Sequence, residues 1–198
     1  MNSIKPAITE LEKIYKLFSC LFDDEKMEPI PVITIQSAGR RKVLGWMDPE
    51  RWKNGETVIN EINIVAESLA GTVSEIAETM LHEMVHHCNE LRGVNDCSKS
   101  QYHNKKFRDL CEYIGLNCEK SRRRGWDYTE LTGPLLAMIE AAKINHEAFT
   151  IFRLNPEPAK KVGSRLKKWT CGCTIIRAAG EVEVLCKKCG SEFLLEEL

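Results

Sequence analysis

Two histidines four residues apart, His82 and His86, lie in the run LHEMVHHCNE from Leu81 to Glu90. In an α-helix that spacing puts both imidazoles on one face, one turn apart, within reach of a single metal ion. The run is therefore expected to be helical, and its start is written upstream. Thr72 and Glu75 form a T-x-x-E capping box, in which each side chain satisfies a backbone N–H at the helix end. The helix should run to about Asn89, with Gly93 beyond it. Glu83 follows the first histidine, which completes H-E-x-x-H: two metal ligands and a carboxylate placed to act as general base. His87 lies five residues from His82, roughly 500° around the helix, so it faces elsewhere and is expected to be structural or exposed.

A catalytic zinc keeps a position open for water, and normally takes three protein ligands. A histidine ten residues after His82 would supply the third in one common pattern, but Arg92 stands there. An upstream cysteine ligand would have to be Cys20, far off on the first helix. Two candidates remain. His103 opens the next helix, 17 residues after His86, and Glu112 lies on the same helix. His103 is the favoured ligand. The competing reading is an exposed polar stripe on an ordinary helix.

The nine cysteines are many for a reducing compartment, where metal binding is a commoner use of cysteine than disulfides. Cys171, Cys173, Cys186 and Cys189 are arranged as C-x-C, twelve residues, then C-x-x-C. The residues between, TIIRAAGEVEVL, alternate like two short strands around a glycine turn. Four thiolates in this arrangement predict a closed, tetrahedral zinc ribbon. So small a unit cannot build a core, and metal ligation would supply its folding free energy, on the order of 10 kcal/mol. Cys20, Cys88, Cys97, Cys111 and Cys118 are scattered and expected to be small buried hydrophobes.

Around these motifs the chain reads as α+β. Residues 7–22 have helical apolar spacing, with Pro6 in the first turn. PIPVITIQSAG, KVLGWM and TVINEINIV read as strands. In the last, both faces mix apolar and polar residues, which suits an edge strand. A helix from near His103 should stop at Gly115, and another should span residues 133–152. The formal net charge is −1, yet residues 101–170 carry fourteen Lys/Arg against eight Asp/Glu. Lys160, Lys161, Arg165, Lys167 and Lys168 lead into Trp169, so cations beside a stacking aromatic make single-stranded DNA a candidate partner. Arg122, Arg123 and Arg124 could extend that surface. No apolar run approaches the ~20 residues of a membrane span. The N-terminus lacks a signal-peptide pattern, so the expected address is the cytoplasm.

The stretch ETMLHEMVHHCNELRGVNDCSKSQYHNKKFRDLC resembles the SprT-like metalloproteases, the group that includes the Spartan DNA–protein-crosslink proteases. His82, Glu83, His86, His103 and Phe107 match the family pattern of H-E-x-x-H, a polar loop, and a third histidine followed by an aromatic. VLGWM and TVINEINIV look like the family's strand pair, and many members append a small zinc-binding unit. The resemblance covers roughly residues 5–130 and is nearest to compact bacterial or phage members. It implies a zincin-like protease domain over 1–155, with a small mixed sheet and an active-site helix. A basic linker over 156–168 and a zinc ribbon over 169–198 would follow. One catalytic Zn2+ would be held by His82, His86 and His103, and one structural Zn2+ by the four C-terminal cysteines. The expected activity is peptide-bond hydrolysis by a zinc-bound water that Glu83 activates, on protein substrates associated with DNA. Two rivals stand beside it: a nucleic-acid-binding protein with a silent histidine site, and a zinc amidase of another bond class. The segment RRRGWDYTEL is given no role, and Trp126 is expected to be a packed aromatic.

Overall fold

The first helix, α1 (Lys5–Ser19), carries Pro6 in its first turn, where the missing N–H costs no hydrogen bond. It buries Ala7, Leu11, Ile14, Tyr15 and Phe18, a stripe of 3–4-residue spacing. Phe22 is buried beyond its end. The computed structural model describes residues 2–22, 27–39, 41–154 and 166–196 of the chain. These fall into two compact units, Met1–Asn155 and Pro156–Leu198.

In the first unit, β1 (Val32–Gln36), β2 (Gly45–Asn54) and β3 (Thr57–Val65) form one sheet in the order β1-β3-β2. β1 runs parallel to β3, with Ile33 opposite Ile62, and β2 runs antiparallel to it, with Met47 also opposite Ile62. A bulge between Asp48 and Trp52 shifts the β2 register. β3 is thus the central strand, not the edge strand its mixed faces suggested. Most of its buried polar atoms find partners in the fold, although Asn63 Nδ2 has none. Glu61 accepts hydrogen bonds from Gln36 Nε2 at 2.6 Å and Trp52 Nε1 at 2.7 Å. Asn60 Oδ1 accepts the Glu50 N–H at 3.0 Å. Thr34 Oγ1 lies 3.1 Å from Asn63 Oδ1. Buried polar groups are tolerated when bonded in this way, so alternation of residue type was a poor guide to strand position.

The capping box forms at the start of α2 (Val73–Leu91): Thr72 Oγ1 accepts from Glu75 N–H, and the Glu75 carboxylate from Thr72 N–H. Gly93, at φ 65, follows its end. The third helix, α3 (Lys105–Tyr113), starts later than expected. Asn104 is its N-cap, accepting from Lys106 N–H at 2.7 Å, so His103 precedes the helix in extended backbone. A hairpin of β4 (Asn117–Ser121) and β5 (Gly125–Glu130) comes next. The sequence reading assigned no element to RRRGWDYTEL. Trp126 packs against the core, with the Arg108 guanidinium 4.9 Å from its ring centroid. Finally α4 (Gly133–Ala142) is half the length expected. Lys143 turns into the left-handed region at φ 50, and Asn145 then caps a separate 3-10 turn, His146–Phe149. One core unites Leu11, Ile14 and Phe18 with Ile62, Ile64, Met80, Met84 and Phe107.

The second unit is a three-stranded sheet: β6 (Lys167–Thr170) lies between β7 (Ile175–Ala178) and β8 (Leu194–Leu195). The partner of β7 is therefore the segment before the first cysteine pair. The expected hairpin within residues 174–185 is not what forms. Trp169, Cys186 and Phe193 make the small core. Trp169 is 9% exposed, which buries the ring offered for base stacking. Most of the expected basic linker, residues 156–165 with Lys160, Lys161 and Arg165, lies outside the described residues. Lys167 is exposed, and Lys168 pairs with Glu196 across the sheet. No helix among the described residues is long and apolar enough to cross a membrane.

Candidate metal centres

Two chain segments deliver the three histidines. His82 and His86 project from one face of α2, which the helix repeat fixes. His103 is fixed by backbone pairing. It forms an antiparallel bridge with Cys97 and a parallel bridge with Gly125. Its N–H donates to Arg124 O at 2.8 Å, and its carbonyl accepts from Trp126 N–H at 3.1 Å. This contact needs a glycine: Gly125 has φ 74, and a Cβ there would lie 2.1 Å from His103 O. Gly125→Ala should therefore destabilise the unit by ~1–3 kcal/mol through strain and loosen metal at the histidine centre, read by thermal melting and metal content. An unchanged melt with full metal content would remove Gly125 from this role.

Phe107, fully buried in α3, lies beneath all three imidazoles, with ring centroids at 4.7, 4.6 and 4.7 Å from His82, His86 and His103. His103 Nε2 lies 3.2 Å from His82 Nε2 and 3.0 Å from His86 Nε2. Each Nδ1 turns outward to its own partner. His86 Nδ1 is 2.9 Å from Asp96 Oδ2, His103 Nδ1 is 3.3 Å from Arg124 O, and His82 Nδ1 is 3.4 Å from Thr129 Oγ1. With protons on Nδ1, three Nε2 lone pairs converge on one point. That arrangement is repulsive by itself and fits a cation; imidazoles bound at ~2.0–2.1 Å to one ion have their nitrogens about this far apart. The residues present fit a metal ion.

Burial pushes Glu83 up to about 7, the nearby Asp96 adding to it and His86 opposing it. Met47 N–H donates to its carboxylate. Gly45 makes that approach possible, since a Cβ there would stand 3.2 Å from Glu83 Cγ and 2.9 Å from Asn63 O. Burial drives His82 down most strongly, with His86 and His103 adding to it, and burial also lowers His103, to about 4. His86 goes the other way: burial disfavours its charge, but the Asp96 bond and Glu83 outweigh it.

The other candidates fall elsewhere. Glu112 is exposed and pairs with Arg108 at 3.7 Å. His87 is fully buried, with Nδ1 3.1 Å from Asn60 Nδ2 and its ring 6.3 Å from that of Tyr15, so it serves the core. Cys88 and Cys111 are buried, Cys97 and Cys118 half-buried, and Cys20 is exposed, unlike the small buried hydrophobe expected there. Asp96, Thr129, and Glu78, whose Oε1 lies 3.4 Å from Thr129 Oγ1, were not singled out from sequence. Glu78 lies one helical turn before His82 on α2, a spacing that could have drawn notice, whereas Asp96 and Thr129 lie at separations with no local pattern.

In the second unit, Cys171, Cys173, Cys186 and Cys189 have their sulfurs within 4.8 Å of one another. Cys171 Sγ is 3.5 Å from Cys173 Sγ, and Cys173 Sγ is 3.6 Å from Cys186 Sγ. All four are free thiols. The backbone N–H groups of Cys189 and Lys188 hold the Cys186 thiol down to about 6. Gly190, at φ 72, closes that turn with its N–H on Cys186 O at 2.7 Å. A thiolate favoured by backbone donors is the form that binds metal. Comparisons with family models, curated proteins and solved structures found no match to this chain.

Proposed function

We propose that the first unit is a zinc-dependent metallopeptidase of SprT-like type, and that the second is a structural zinc ribbon. The observation that carries the reading is the convergence of His82, His86 and His103 Nε2 beside the buried carboxyl of Glu83. An ion held there supplies a Lewis acid for a water and for a carbonyl oxygen. Glu83 takes the proton of the attacking water and returns it to the leaving nitrogen. Its elevated pKa suits a group that must both accept and donate near neutral pH. The Met47 N–H holds the carboxyl against β2.

A peptide is favoured over other amides by β2 itself. Among the described residues it pairs only with β3, so an unpaired edge runs beside Glu83. An extended chain can add to such an edge through main-chain hydrogen bonds. DNA-associated proteins are the substrate class the family resemblance suggests. With Trp169 buried, the nucleic-acid part of this proposal rests on the basic run leading into β6.

The test is hydrolysis of an unfolded protein by the purified chain, with and without single-stranded DNA, alongside metal content. The wild type should carry two zinc ions per chain and cleave. His103→Ala should carry one and not cleave. Two zinc ions retained in His103→Ala, or cleavage surviving in it, would overturn the assignment.

A further inference from the structure

We infer that Asp96 is a positioning residue for the histidine metal centre, holding His86 in the orientation and tautomer that present Nε2 to the ion. This rests on the reading of His82, His86 and His103 as a metal site. Of the three outward Nδ1 contacts, only that of His86 meets a charged acceptor, and it is the shortest at 2.9 Å. His82 has a hydroxyl at 3.4 Å and His103 a carbonyl at 3.3 Å. A carboxylate at Nδ1–H fixes the tautomer, orients the ring and makes the other nitrogen a stronger donor.

The loop between α2 and α3 is built to hold that carboxylate. Asp96 is 7% exposed. Its Oδ2 also accepts from Asn89 Nδ2 at 2.9 Å, and Asn89 lies three residues beyond His86 on α2. Its own carbonyl accepts from Asn104 N–H at 2.9 Å, beside His103. Asn104 Nδ2 donates to Asn95 O at 2.9 Å. Val94 N–H returns to Asn89 O at 2.8 Å. One loop therefore sets both Asp96 against His86 and His103 against the other two imidazoles. Burying Asp96 near the equally buried Glu83 is unfavourable without a compensating charge. A dication among the three imidazoles supplies one.

Cobalt(II) binding to the full chain separates the centres, because thiolate ligation gives a sulfur-to-cobalt charge-transfer band and imidazole ligation does not. Affinities for cobalt would be measured by chelator competition for the wild type, Asp96→Ala, Asp96→Asn, Asn104→Ala and His103→Ala. Asp96→Ala should bind cobalt at the histidine centre ~10–100-fold more weakly, with the thiolate band unchanged. Asp96→Asn keeps an oxygen for the imidazole N–H and should recover most of the loss. Asn104→Ala removes the α3 cap and the bond to Asn95 O beside His103 but keeps the backbone bond to Asp96 O and the carboxylate on His86, and should cost less than Asp96→Ala. Unchanged cobalt affinity in Asp96→Ala overturns the proposal. So does an equal loss in Asn104→Ala, which would make loop order the cause. Should Asp96→Ala fail to fold, Asp96→Leu keeps the bulk of the side chain without an acceptor, and wild-type cobalt affinity in it would likewise overturn the proposal. The metal-site reading fails separately, if His103→Ala binds as much cobalt as the wild type.

Discussion

Glu83→Gln should keep its metal and lose its hydrolysis. The amide has the shape of the carboxyl, so its oxygen can still accept the Met47 N–H and the packing against Gly45 is preserved. It cannot take a proton from water. Loss of a general base typically lowers the rate ~10²–10⁴-fold. Because Glu83 is not among the residues whose ligand atoms converge, metal content and melting temperature should stay near wild type. The measurement is kcat on an unfolded protein substrate at matched metal occupancy. A fall in KM-dependent binding with kcat preserved would place Glu83 in substrate binding, and an unchanged kcat would remove it from the mechanism.

Stripping metal from the ribbon should have a larger effect on folding than any single substitution in the first unit. Among the described residues its buried hydrophobic residues are three, Trp169, Cys186 and Phe193, and one of these is a candidate ligand. So little apolar surface cannot offset the ordering of some thirty residues. On the proposed reading, metal ligation contributes the difference, on the order of 10 kcal/mol. Chelation of the full chain, or Cys186→Ser, should open residues 166–196 to limited proteolysis while the first unit stays resistant. A metal-free ribbon as resistant as the loaded one would show that the sheet of β6, β7 and β8 stands alone, and the four thiols would need another explanation.

What could be read from the sequence was what lies within one turn of helix or one tight knuckle. His82, Glu83 and His86 share a helix face by arithmetic, and Thr72 with Glu75 announces the helix start. The cysteine pairs are likewise local. The rest depended on distant partners. β3 looked like an edge because Glu61 and Asn63 are polar, and only Gln36, Thr34 and Trp52 on neighbouring strands make its central place tolerable. The β4–β5 hairpin was passed over because its strands are short and largely polar, and its meaning lies in a backbone contact 22 residues away in sequence, between Gly125 and His103. Asp96 looked like one more polar residue of a spacer. The end of α4 turned on Lys143 adopting a left-handed conformation that no residue-type rule favours.

On the proposed metal-site reading, the pairing of His103 with Gly125 would tie metal retention to a hairpin that makes no direct side-chain claim on the ion. His82 and His86 ride on a long buried helix and could leave only when the core opens. His103, itself buried, is held by a few backbone hydrogen bonds between a loop and a hairpin, the kind that break in sub-global opening far below the free energy of full unfolding. Release of an ion bound there would then have a path through partial opening at one place. The lifetime of a loaded centre would become a property of that hairpin's local stability. Amides of His103 and Trp126 that exchange together, and faster than those of the α2 core, would be its signature.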